Sequence, residues 1–525
     1  MITRRQRGAS LFVLGSLFLA CVGDDSGVPP GNDGGTEAGD GSLPDVVATD
    51  GTTTDATGSD ADVQPTPTGT VKFAVTAIGD NVIGNAVAFD GLGNVYFGGS
   101  YLSATAIDLG NGKSLPANAT VYDGFVAKYD ATGKCLWGVV LDGTDDGNKQ
   151  IFSLAAEANG DVVFAADTGG ATSVKLDGAS VASHGGNDIA IARLNGAGQQ
   201  VWLRTLASAS YEFPDAIAVD TTGRIALAGK YIRNGATDVA FDGITANPPE
   251  QPNSAGFVAL LDATGVTTAL KAFPYTDSGA GSYVEPHAVA FAPDGNIVVG
   301  GEFIGTIELR NGESVGQAVP SNGANDAFIA KIDSTTNKII WAQTFGGASA
   351  DNIHGVGVDP SGNVIAAFNY GSAFTIGTTG TLPAPAGFVD IGVVRFDPNG
   401  GAPTAFAYGS AQTDVPAKLA VDQWGELIVV GLMNASISFG TKVATAAGGG
   451  DGFIAKLSPA GTGLWAYGIG GSGNNDQTNA VDVDKAGNVA AIGTLGGSGN
   501  PITLLGSTVN VGPGKSAAFF AVTSP

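Results

Sequence analysis

One glycine constrains this chain more than any other feature. It returns every 62 to 72 residues and is followed each time by a polar residue and then a β-branched or apolar one. The series is Gly93, Gly160, Gly223, Gly295, Gly362, Gly425 and Gly487. Each member lies between two strand-like runs, as in Ala288-Val289-Ala290-Phe291, Pro293-Asp294-Gly295-Asn296 and Ile297-Val298-Val299-Gly300. Asp and Asn favour such turns and Gly supplies the positive φ they need, so the pattern predicts seven hairpins. A third strand follows in most cycles, as in Asp123-Gly124-Phe125-Val126-Ala127-Lys128 and Asp451-Gly452-Phe453-Ile454-Ala455-Lys456. A fourth carries Trp137, Trp202, Trp341 and Trp465 at one repeat position.

Four short antiparallel strands repeated seven times describe blades that bury their faces only against one another. The expectation is an all-β, seven-bladed β-propeller over residues 71–525. The seventh cycle has only three strands, ending in Phe519-Phe520-Ala521-Val522, while an extra strand, Lys72 to Ile78, precedes the first. If that strand completes the last blade, the ring closes without an open edge. Composition agrees: 82 glycines, 43 % hydrophobic and only 14 % charged residues suit many short strands and glycine turns.

The stretch Gly346-Gly347 to Asp351, followed by Val358-Asp359-Pro360-Ser361-Gly362-Asn363-Val364, resembles the seven-bladed β-propeller repeat of bacterial surface lipoproteins. Gly470 to Val489 is similar, and the resemblance covers nearly all of residues 71–525. It implies a scaffold and leaves the activity open.

The N-terminal segment reads as an address. Arg4, Arg5 and Arg7 precede an apolar run, Leu11 to Ala20, that is too short for a membrane span and suits a signal peptide over residues 1–21. Leu17-Phe18-Leu19-Ala20-Cys21 resembles a lipobox, which implies acylation of Cys21 and anchoring to membrane lipid, although Phe18 departs from the usual aliphatic residue. The alternative is an ordinarily cleaved secreted protein in which Cys21 is incidental. Residues 22–70 hold ten acids, no bases and little aliphatic periodicity, so they predict a disordered acidic linker. As a flexible coil it would reach on the order of 40 Å. The expected location is the cell envelope, on the outer membrane or cell surface.

The remaining body holds 39 acids against 21 bases, a net charge of −18. That sign excludes nucleic acid as a partner and leaves cations, basic peptides and neutral glycans open. A protein or glycan ligand at the propeller face is the expectation.

Around the seven blades, the residue expected just before each inner strand is Asn85, Ser153, Asp215, His287, His354, Lys418 and Asn479. These form a candidate binding ring at the channel mouth. Within it, His287, His354 and Asp215, with Glu285 nearby, are candidate metal ligands or bases, because neutral imidazoles and carboxylates suit both tasks. The alternative is a wet channel that tolerates polar residues.

No cofactor is expected outright, with calcium or another divalent metal as the alternative. Acidic loops at Asp142, Asp145, Asp146, Asp351, Asp414 and Asp476 supply oxygens, but no regular calcium-loop spacing accompanies them. The series Asp123, Asp188, Asp326, Asp390 and Asp451 is followed five residues on by Lys or Arg. That odd offset excludes a catalytic pair on one strand face and points to capping.

Gly468-Ile469-Gly470-Gly471-Ser472-Gly473 matches a dinucleotide fingerprint without a following helix, and no His-Glu-x-x-His occurs. With Cys21 acylated, Cys135 has no partner and is expected to be packed. The sequence thus favours a non-enzymatic binding or scaffolding lipoprotein. An extracytoplasmic hydrolase or lyase using His287, His354 and Asp215 is the alternative, and a passive envelope component the third reading.

Overall fold

The computed structural model describes residues 64–525 apart from 144–146, 185, 209, 233–238, 247–253, 276–281, 312–313, 473–475, 498–500, 511 and 514. The expected signal peptide, Cys21 included, and all but the last few residues of the expected linker lie outside the described residues.

The chain folds as seven four-stranded antiparallel blades in a closed ring. The inner strands are Asn81–Phe89, Gln150–Ala156, Tyr211–Val219, Tyr283–Phe291, Asn352–Val358, Asp414–Val421 and Gln477–Val483. Each is followed by a tight turn whose recurring glycine has φ between 77° and 91°. In the turn at Asp220, Oδ1 accepts the amides of Thr222 and Arg224, while Gly223 N–H donates to Asp220 O. A side chain at the glycine would strain that conformation.

Closure is as expected. Val71–Gly79 pairs antiparallel with Ser516–Thr523, from Val71↔Thr523 to Gly79↔Ser516, and supplies the outer strand of the seventh blade. Gly69 N–H donates to Pro525 O at 2.9 Å, and Ser524 N–H to Thr70 O at 2.7 Å.

Apolar packing forms seven wedges, one at each junction between blades. The second and third strands supply most of each, and in Val364–Tyr370 every residue is buried. Tryptophans lock four of the blades to the next. Trp137, Trp202 and Trp341 stack over Gly198, Gly265 and Gly400 of the following blade, and Trp465 stacks over Gly69. Three indole N–H groups donate to neighbouring carbonyls: Trp137 to Gly196, Trp202 to Ala263 and Trp341 to Pro398. A Cβ on Gly400, which has φ +78°, would lie 2.5 Å from the Trp341 ring. Gly400→Ala is therefore expected to cost about 2 kcal/mol or more in urea denaturation, through both strain and overpacking.

A further hairpin joins the second and third strands of every blade, and the repeat pattern did not announce it. In the first blade it is Ile107–Gly110 with Lys113–Leu115; in the second, Ser173–Leu176 with Ala179–Ala182. Ile107, Leu109 and Leu115 are buried, so the hairpin caps the edge of a wedge.

Candidate functional site

Every inner strand carries one extra residue relative to its partner. The bulged residues are Asn85, Phe152, Asp215, His287, His354, Ala417 and Asn479. A bulge re-aims side chains and tightens the local twist. This corrects the expected ring in two ways. Its residues lie within the inner strands, not ahead of them, and the equivalent positions in the second and sixth blades are Phe152 and Ala417. Ser153 and Lys418 follow one residue later: the bulge lies eight residues before the turn glycine in every blade, and in these two an apolar residue fills it.

Part of this belt is occupied in holding blades together. Asn479 Nδ2 donates to Gly84 O at 2.8 Å, Asn85 Nδ2 donates to Ile151 O at 2.9 Å, and Ser153 Oγ accepts Ile217 N–H at 3.1 Å. These bonds run from the seventh blade through the first and second to the third. On the other side of the ring the polar groups converge on one another. His287 Nδ1 lies 3.6 Å from Asp215 Oδ1, and its Nε2 lies 3.7 Å from Glu302 Oε1. Glu285 receives Lys230 Nζ at 2.7 Å. Lys418 Nζ reaches across the channel to His287 O at 3.0 Å. The rings of His287 and His354 stack with centroids 6.2 Å apart at 13°.

Environment separates the two imidazoles. Burial opposes charging His287, but the carboxylates of Asp215 and Glu302 outweigh it and hold the ring at about 9. Burial, then the neighbouring His287 charge, lowers His354 to about 4, against the opposing bond to Asn369. The surroundings thus favour charge on one ring and oppose it on its neighbour.

Glu302 was not foreseen. It joins Glu285 and His287 in the one place among the described residues where three possible metal ligands converge. His354 and Asp215, expected as ligands, take other positions: His354 bonds Asn369 and Asp215 flanks His287. Beside the belt lies a cavity of about 300 Å³. Asn85, Ser153 and Lys418 contribute polar wall, while Ala86, Leu154 and Val356 contribute apolar wall.

The acidic residues expected as calcium loops are built in differently. Asp351, Asp414 and Asp476 are buried at blade junctions, each near an equally buried Asp at the start of the preceding blade's third strand: Asp326, Asp390 and Asp451. Glu212 meets Asp188 in the same way. In the first junction the later position is Lys149, which offsets Asp123. In the two remaining junctions the corresponding residues are Ala255 with Val284 and Ala517 with Val82, all buried. Asp145 and Asp146 lie outside the described residues.

The earlier acids also cap loops. Asp326, Asp390 and Asp451 accept the amides of Asn322, Ala386 and Ala447. Their basic followers belong elsewhere, as the odd offset predicted: Lys128 pairs with Asp90 at 3.2 Å and Arg193 with Glu157 at 2.8 Å, both turn acids. Cys135 is buried, and burial raises its thiol to about 11.

No family profile and no curated protein matches the chain by sequence. Among solved structures it is similar to the Pan2 WD40 domain of Neurospora crassa, at 11 % identity over 84 % of this chain and 89 % of that one, with a TM-score of 0.39. A protein of unknown function from Dyadobacter fermentans gives 10 % identity, 86 % and 99 % coverage and a TM-score of 0.37. A puromycin hydrolase gives 12 % identity over 82 % of this chain and 53 % of its own length, with a TM-score of 0.41. Such values say nothing about activity; the blade count rests on the sheet topology.

Proposed function

We propose that this chain is an exported, lipid-anchored binding protein that presents a recognition site at the channel belt of its propeller. The carrying observation is the asymmetry of that belt. Asn479, Asn85 and Ser153 are consumed in stapling blades, whereas Asp215, His287, Lys418 and Glu302 form a charged cluster beside an open cavity of about 300 Å³. A wet but idle channel has no need to gather charges from the third, fourth and sixth blades. The mixture of donors, acceptors and apolar wall suits a hydroxyl-rich glycan unit or a basic peptide side chain.

Thermal-shift and calorimetric titration of the full chain against panels of neutral glycans and basic peptides test this reading. Asp215→Asn and Lys418→Ala are expected to weaken binding at least tenfold while leaving the melting temperature within a few degrees. The absence of any ligand in both panels, or binding indifferent to both substitutions, counts against it.

The anchor is tested separately. Metabolic labelling with an alkyne fatty acid is expected to mark the wild-type protein and to fall to background in Cys21→Ser, which should also leave the membrane fraction. Equal labelling of both proteins would remove Cys21 from the reading.

One observation favours a second reading, an extracytoplasmic hydrolase or lyase: the stacked imidazoles, one favouring charge and the other opposing it, place a proton donor and an acceptor side by side. Turnover of a polysaccharide, ester or peptide that disappears in both His287→Ala and His354→Ala would establish it.

A further inference from the structure

We propose that Glu285, His287 and Glu302 form a divalent-metal site on the channel wall, holding a first-row ion such as zinc or manganese with open positions toward the bore. Strand register supplies the first argument. Glu285 and Glu302 are direct cross-strand partners, an arrangement that places two like charges opposite each other. Such a pairing is destabilising unless cations compensate; Lys230 compensates Glu285 from one side, and an ion between the two carboxylates would serve both. The bulge at His287 then brings an imidazole to the same spot, where it would bind an ion through Nε2 by releasing its proton.

Distances supply the second. One donor atom from each residue lies within 4.8 Å of the other two. The His287 Nε2 to Glu302 Oε1 separation of 3.7 Å is too long for a hydrogen bond. It needs only a small contraction to match two ligands that share one ion, which lie roughly 3.3 Å apart when each is about 2.0 Å from the metal.

The surroundings supply the third. Metal-binding imidazoles are usually oriented by a carboxylate on the other ring nitrogen, and Asp215 lies 3.6 Å from Nδ1, where a small contraction would give it that part. Glu302 is steadied by Tyr283 OH at 3.2 Å and by Asn325 Nδ2 at 3.1 Å. Lys230 takes Glu285 Oε2, leaving Oε1 for the ion. One nitrogen and two carboxylates suit borderline ions, whereas calcium takes oxygen ligands alone. The inference deepens the recognition reading, since an ion here would add a charged contact to the belt, but its own test is independent.

The full chain is purified with chelator, dialysed and titrated with Zn²⁺ or Mn²⁺ in excess Mg²⁺, which occupies surface carboxylates. About one equivalent is expected, with affinity at least tenfold weaker in His287→Gln and in Glu302→Gln and unchanged in the exposed control Asp177→Asn. Co²⁺ absorption by the wild-type chain, showing nitrogen and oxygen ligation, supports the site without relying on a variant's folding. No equivalent above background, a purely aquo-type cobalt spectrum, or equal affinity in all the variants overturns it. Retained glycan or peptide binding in a chain that takes up no metal removes the ion and keeps the recognition site. Metal uptake without any ligand in either panel does the reverse.

Discussion

A chain lacking residues 64–79 is expected to lose its single cooperative melt and to elute as soluble aggregate. The deletion removes the outer strand of the seventh blade, with Val75 and Ala77 buried and Phe73 packed on Phe520 at 5.4 Å. Burying a large aliphatic or aromatic side chain contributes about 1.5 to 3 kcal/mol. Val75 and Phe73 are two such groups, and together with Ala77 and the lost ladder bonds they approach the roughly 5 to 15 kcal/mol that a folded protein holds in total. The loss also uncovers Ser516–Thr523, whose residues are all buried in the intact ring, as an open apolar edge. Size-exclusion chromatography and thermal unfolding check the outcome. A monodisperse protein melting within about 3 °C of wild type would mean that closure rests on the wedges alone. Adding a peptide of residues 64–80 in trans should restore the melt if the strand acts by pairing. Val75→Ala should cost only about 1 to 3 kcal/mol, because it removes part of one side chain and keeps the ladder.

Closure was legible in advance because it depends on counting strands, and the turn glycines mark those strands through a conformation that few other residues adopt. The small hairpins carried a signal too. Asn111-Gly112, Asp177-Gly178 and Asp242-Gly243 all have positive φ at both residues, the geometry that Asn-Gly and Asp-Gly favour in two-residue turns. Their flanking runs were too short for the alternation to stand out. The belt was readable only to within one residue, since a bulge shifts register without leaving a mark in composition: Ser153 and Lys418 stood in for Phe152 and Ala417. Glu302 was hidden because its closeness to Glu285 arises from cross-strand pairing and not from spacing along the chain. The junction acids were hidden for a related reason. Asp326 and Asp351 belong to different blades, and each by itself looks like ordinary turn chemistry.

Those junctions lead to the second large effect: the melting temperature is expected to rise, on the order of 5 °C, as pH falls from 8 to 5.5. Burial raises Asp351, Asp476 and Glu212 to about 7, with the neighbouring acids adding to the shift. In the unfolded chain such groups titrate near about 4. Because the folded value is the higher one, the folded state holds protons that the unfolded state has released. The resulting stability is fully present below about pH 4 and is lost as pH rises through about 7, at about 1.4 kcal/mol per proton and pH unit. His354, lowered to about 4, acts in the opposite direction as pH falls below 6.5, so the net gain should flatten toward pH 4.

Asp351→Asn isolates the junction from both histidines. The amide can still accept the Gly347 N–H that now bonds Oδ2, and its NH₂ can donate to Asp326 Oδ1, a buried oxygen without a hydrogen-bond partner. The substitution is therefore expected to stabilise the protein by about 1 to 3 kcal/mol at pH 8 and to change little at pH 5, where the carboxyl is already neutral. Lys149→Met should do the converse, destabilising most at high pH, since the Asp123 carboxylate would lose the cation that offsets it. Denaturant titrations of the three proteins at pH 5 and 8 decide the matter. A wild type whose stability is flat or falls between pH 8 and 5.5, together with an Asp351→Asn variant destabilised at pH 8, would mean that the paired acids remain ionised and are compensated by something other than a shared proton.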